Sequence, residues 1–151
     1  MDIGIVSDRK GFNFSDRLES ELQSNGYKTH LFGAKSNTFG LPVPTSVHEL
    51  CWGIHKRLIG FGIVLVDNSN VNIACITANR MPHIRASVIS CVGDAQLARI
   101  TANINVACIN LAILDYGMVE EIIYKFVETK ASKEQWHTES VYLADMLYIP
   151  K

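Results

Sequence analysis

An excess of charge of either sign is missing from this sequence. Fourteen lysines and arginines stand against fifteen aspartates and glutamates, a formal net charge of −1. Nothing in that balance calls for nucleic acid or an acidic membrane as partner. Also missing is any apolar run near the roughly 18 residues that a membrane-spanning helix needs. The opening Met-Asp-Ile-Gly-Ile-Val has no basic segment ahead of it, so no secretory leader is expected. Cysteine is present but unpaired in pattern: Cys51, Cys75, Cys91 and Cys108 lie far apart, with no Cys-x-x-Cys. They read as reduced core thiols of a cytoplasmic protein. Asn13-Phe14-Ser15 fits a glycosylation sequon, which that compartment leaves unused. Repeats and low-complexity tracts are lacking too, and no cofactor is expected.

What is there is a chain of 151 residues, 48% of them hydrophobic, enough for one domain with a sizeable core. Its centre is the run Phe61 to Val66, apolar without alternation, as in a strand buried on both faces of a parallel sheet. The run stops at Asp67, and Asn68-Ser69-Asn70 follow as a polar loop before a short helix that reaches Arg80. Ligands of open parallel α/β sheets bind outside the carboxyl ends of the strands. Asp67 to Asn72 occupy such a place.

The rest of the chain alternates in the same way. Strands are expected at Ile3 to Val6, Tyr27 to Phe32, Ile84 to Ile89 and Asn105 to Leu111. A helix from about Phe14 to Ser24 carries Phe14, Leu18 and Leu22 on one face, capped by Asn13 or Ser15 and closed by Asn25-Gly26. The stretch from Gly33 to Thr45, broken by Pro42 and Pro44, reads as loop. Ser46-Val47-His48-Glu49 has the form of a capping box for a second helix that Gly60 ends. Further helices are expected at Asp94 to Asn103, with Leu97 and Ile100 inward, and at Tyr116 to Glu128, with Met118, Ile122 and Phe126 aligned. A last helix runs over about 138–148. Strands and helices at this spacing predict an α/β fold, a three-layer α/β/α sandwich on a five-stranded parallel sheet, Rossmann-like in build.

Several short segments, in this order and spacing, resemble one family. These are Ser7-Asp8-Arg9-Lys10-Gly11-Phe12, Phe32-Gly33, Ala78-Asn79-Arg80 with Ile84-Arg85-Ala86, Ala95-x-Leu97-Ala98-Arg99, and Asn105-Val106. Together they resemble the small sugar-phosphate isomerases typified by ribose-5-phosphate isomerase B and the galactose-6-phosphate isomerase subunits. The resemblance covers nearly the whole chain and implies strand order 2-1-3-5-4. It also implies aldose–ketose isomerisation through an enediolate, at a site shared across a two-fold interface, hence a homodimer or dimer of dimers.

The functional positions implied by that resemblance are altered. Where the family has a Cys-Gly-Thr-Gly-x-Gly loop carrying its base, this chain reads Asp67-Asn68-Ser69-Asn70-Val71-Asn72. Thr101-Ala102 stand where a His-Asn pair supplies the acid, and Arg9 where a histidine helps hold phosphate. Ala112, Trp136 and Ser140 fall on the phosphate arginines, while His137 is kept. The ordinary activity is therefore expected to be lost or changed.

Two readings follow. In one, Asp67 is a replacement base with its pKa raised by desolvation, Asp8 holds a substrate hydroxyl, and Arg9 with Lys10 forms an anion site at a helix start. Asn68, Ser69, Asn70, Asn72 and His137 complete the contacts to a sugar or sugar-phosphate ligand. In the other, the chain is a non-catalytic small-ligand binder or the silent subunit of a heteromer. Asp67 is then only a helix cap, Asp8 a turn residue, and Arg9 and Lys10 solvated cations. His48, Cys51 and His55 share a helix, but Cys51 belongs to the apolar stripe and no metal is expected. His83 lies at the amino end of its strand, away from the site, and reads as structural.

Overall fold

The apolar runs expected as strands all enter one sheet. The computed structural model describes residues 1–34 and 41–147. In it β1 (Asp2–Ser7), β2 (Lys28–Gly33), β3 (Phe61–Val66), β4 (Ala86–Val88) and β5 (Val106–Asn110) lie in the order β2-β1-β3-β5-β4. Every neighbouring pair is parallel. All six positions of β3 are buried, because it takes a neighbouring strand on each edge and helices on both faces.

The two faces take different side chains of the same strand. Phe61, Ile63 and Leu65 pack in a core layer with α1 (Phe12–Ser24), α4 (Val92–Ala102) and α5 (Tyr116–Glu128). Val64 and Val66 pack with α2 (Val43–His55) and α3 (Val71–Asn79). The final helix, α6 (Gln135–Met146), rests on α4. This is the expected α/β/α sandwich. Among the described residues no helix is long and apolar enough to cross a membrane.

Several local expectations give way to tertiary contacts. α2 starts at Val43, not at Ser46, with Pro42 as its N-cap and Pro44 in its first turn, where a missing N–H leaves nothing unsatisfied. Ser46 thus lies inside the helix, 1% exposed, its hydroxyl without a partner among the described residues. Ser46→Ala is therefore expected to leave stability unchanged or raise it by about 1 kcal/mol. A working N-cap would instead lose about 1 kcal/mol, so the sign of the shift in urea unfolding decides. The rest of the expected 33–45 loop falls partly outside the described residues.

α1 begins at Phe12, and neither Asn13 nor Ser15 caps it; Gly11 is the N-cap. A Cβ on Gly11 would run into the Leu65 carbonyl oxygen, so glycine lets the helix start press against β3. In α4, Leu97 is 62% exposed, and Ala95 and Arg99 take the inner face instead. Arg99 can do so because its guanidinium donates to Thr129 O and Asn103 Oδ1 and lies over the Phe61 ring. Met118 likewise turns outward, and Val119, Ile122, Ile123 and Phe126 form the buried stripe of α5. β4 is shorter than expected, and α6 starts three residues earlier.

Gly60 does not end α2. The helix closes at Arg57, whose φ is +61°: Arg57 N–H donates to Ile54 O and Leu58 N–H to Gly53 O, the Schellman pairing that usually holds glycine. His83, at φ +62°, is third in a turn that Ile84 N–H closes onto Met81 O, with Pro82 second. Left-handed backbone costs a side-chain-bearing residue about 1–2 kcal/mol. Asn103, at φ +46°, is a residue type that tolerates it.

Candidate functional site

Parallel pairing brings the carboxyl ends of β1, β3 and β5 side by side, and each ends in a polar residue: Ser7-Asp8, Asp67 and Asn110. Asp8 is 8% exposed. Its Oδ1 accepts from Gly11 N–H at 2.8 Å, which ties down the start of α1. Its Oδ2 accepts from Asp67 N–H at 2.8 Å and from the Asn70 side-chain amide at 3.0 Å. A single carboxylate therefore links the loop after β1 to the loop after β3. It is a turn residue, as one reading held, and it also crosses between strands.

Asp67 is not placed as a desolvated base. Its Oδ2 lies 2.9 Å from Lys10 Nζ, and the Lys10 ammonium, helped by the Asn68 N–H, holds its carboxyl below the usual range. The upward shift expected for a base is reversed in sign. Nor does Asp67 cap α3, for Asn70 is the N-cap and no side chain caps that end.

The other expected site residues divide. Lys10 and Asn70 join the cluster through the bonds above, and Asn68 joins it because its Oδ1 accepts from the Asn110 amide at 2.8 Å. Ser69 is exposed in the turn after β3, and Arg9 is exposed in the loop after β1. Asn72 lies on the solvent side of the first turn of α3, so it points away. His137 sits on α6, buried against a small cavity shared with Ile100, Thr101 and Ser132. Its ring lies against Trp136, centroids 3.6 Å apart and tilted by 41°, and both its nitrogens lack partners among the described residues. Within one chain it does not belong to the Asp8–Asp67 cluster.

Asn110 escaped the sequence reading. Its Oδ1 accepts from Ala112 N–H at 3.0 Å while its amide holds Asn68. The signal was present, since it is a polar residue closing an otherwise apolar strand, as Asp67 is.

The positions where the resemblance places acid and phosphate groups lie elsewhere. Thr101, Ala102 and Ser140 line a cavity of about 460 Å³ beside the Arg85–Asp145 pair. Ala112 and Trp136 are exposed. As for the thiols, burial pushes Cys51 up to about 12, as suits a core residue, while His48 and His55 are exposed. Cys75 is lowered to about 7 by a hydrogen bond from Cys108, on the side of α3 packed against the sheet. It does not replace the missing thiol.

The fold is a five-stranded parallel α/β/α sandwich with charged and amide groups at the carboxyl ends of three central strands, the place where open α/β sheets bind ligands. The sequence matches the Ribose/Galactose Isomerase family over residues 3–142, and the chain belongs to that family. It is 28% identical over 129 residues, 85% of this chain and 88% of the relative, to a Rickettsia bellii protein named "Putative sugar phosphate isomerase". The fold superposes on the ribose-5-phosphate isomerase B of Clostridium thermocellum with a TM-score of 0.89 at 22% identity, over 97% of each chain. The type B ribose 5-phosphate isomerase of Trypanosoma cruzi gives 0.90 at 19% identity, over 98% of each.

Proposed function

We propose that this chain is a sugar- or sugar-phosphate-binding member of its family in which ordinary aldose–ketose isomerisation is lost or strongly reduced. The observation that carries this reading is the Lys10–Asp67 ion pair beside an Asp8 carboxylate that already accepts three hydrogen bonds. Carboxylates engaged in this way hold the loops after β1 and β3 together. A base must instead hold a lone pair toward the substrate. The ligand would meet exposed Arg9, the Lys10 ammonium and the polar Asn68-Ser69-Asn70 loop, a set suited to hydroxyls and a phosphate.

Ribose 5-phosphate and free ribose distinguish the parts of this claim in a thermal-shift titration. The phosphorylated sugar is expected to raise Tm saturably, and Arg9→Ala to weaken it by about fivefold, as for one exposed charge-assisted contact. Absence of any shift with pentose or hexose phosphates would remove the ligand class.

The same reading makes the protein a cytoplasmic homodimer. Leu143 and Met146 on α6 and Leu147 at its C-cap are each more than half exposed, an apolar face that a two-fold contact would cover. Sedimentation at micromolar concentration is expected to give a dimer, and Leu143→Arg to shift it toward monomer. A wild-type monomer would refute this.

A further inference from the structure

A second polar cavity lies at the other end of the sheet, among the segments that lead into β4 and β5. It measures about 490 Å³ and is bordered by His55, Arg57, His83, Arg85, Asn105 and Asp145. Two guanidiniums and two imidazoles thus share this border with one carboxylate. That carboxylate is already engaged: Arg85 Nη1 lies 3.2 and 3.1 Å from its two oxygens, and His83 Nδ1 3.5 Å from one of them.

Arg85 is anchored, since its Nε donates to Asn103 O and its Nη1 also to His83 O. Asn105 donates to the same His83 carbonyl at 2.9 Å. Arg57 forms no ion pair among the described residues. The His55 and His83 rings lie within 20° of parallel, centroids 6.5 Å apart, and Trp52 stacks on His55 at 5.4 Å. The Lys56 ammonium sits over Trp52 at 5.1 Å and adds to the positive field nearby.

The choice of residues is the second observation. Arg57 and His83 both occupy left-handed backbone, one at a helix end and one third in a turn, where glycine or asparagine fits without strain. The two turns need no side chain. Both nevertheless carry a cationic or protonatable group, and the same cavity receives both. Strained residues of this kind gather where a ligand is clamped.

We propose that this cavity binds a small phosphorylated anion, its phosphate seated between Arg57 and Arg85 with the His55 and His83 imidazoles as further donors. A phosphate dianion offers three acceptor oxygens to these donors: the Arg57 fork matches it, and Arg85 adds the Nη2 that Asn103, His83 and Asp145 leave open. The volume falls within the roughly 300–1,000 Å³ of small-molecule pockets, so the phosphate would be carried on a small metabolite. The site is separate from Asp8 and Asp67 and does not depend on what they bind.

The test titrates inorganic phosphate into the full chain and follows the imidazole NMR signals of its histidines. Saturable shifts at His55 and His83 are expected. Arg57→Gly should weaken them by about tenfold or more, the loss of one charge-assisted contact, with Tm unchanged or raised because glycine relieves the positive φ. His83→Asn should weaken binding for the same reason with the turn intact, and Lys10→Ala should leave it unaltered. Equal, non-saturating shifts with chloride, a response unaffected by Arg57→Gly, or loss on Lys10→Ala would each overturn the proposal.

Discussion

Purified protein is expected to interconvert ribose 5-phosphate and its ketose at below about 10⁻⁴ of the kcat/KM of an intact relative, since acid–base assistance alone contributes about 10²–10⁴-fold. Two deficits compound. In chemistry, the resemblance puts Asp67 where the family carries its thiol base, and the Lys10 ammonium keeps that carboxyl below the usual range. A weaker base takes a carbon-bound proton more slowly. The acid position holds Thr101, on the wall of another cavity, with no group that can exchange a proton near neutral pH. In binding, the resemblance implies that Ala112, Trp136 and Ser140 stand where the family has three arginines, each capable of a contact worth about 1.5–3 kcal/mol; Arg9 would restore one. The measurement is a direct assay on ribose-, allose- and galactose-6-type phosphates beside an intact homologue. Comparable turnover that Asp67→Asn abolishes would make Asp67 a catalytic base and reverse the proposed function.

Asp8→Ala is expected to destabilise the fold by about 3–5 kcal/mol, because three donors lose a charged acceptor in a largely buried setting. The sharper test is Asp8→Asn. Its remaining oxygen can serve Gly11 N–H, but its amide nitrogen then faces Asp67 N–H, donor against donor; Asn70 can turn its amide oxygen round, a backbone N–H cannot. Flipping the amide only moves the conflict to Gly11. The isosteric change is therefore expected to destabilise by about 2–4 kcal/mol, nearly as much as truncation. Urea unfolding with an unchanged m-value would register this as lost stability alone. Asp8→Asn within about 0.5 kcal/mol of wild type would show that water, not the carboxylate, satisfies these donors.

Much of this architecture was legible in the sequence. A six-residue apolar run without alternation, closed by a polar loop, reads as a strand covered on both faces, so Phe61 to Val66 pointed to a parallel sheet. Its abrupt end at Asp67 marked the strand-end site. The strand order came from resemblance, since periodicity alone says nothing about which strands are neighbours. Helix boundaries were less legible. Ser46-Val47-His48-Glu49 fits a capping box as well as a real one does, yet α2 starts at Val43. Leu97 looked like core, yet Arg99 took the inner face because backbone carbonyls and aromatic rings there accept its guanidinium.

What the sequence by itself determined is therefore the set of strands and helices and the places where polar residues break them, because burial and periodicity are local properties. Which polar residues meet was decided only by tertiary structure. Lys10 and Asp67 lie 57 positions apart, and Asn68 and Asn110 lie 42 apart; each pair forms because β1 and β5 flank β3. The same adjacency turned Asp67 from a prospective base into half of an ion pair. It also set Arg57 and His83, distant in sequence and each in an unremarkable turn, on the border of one cavity.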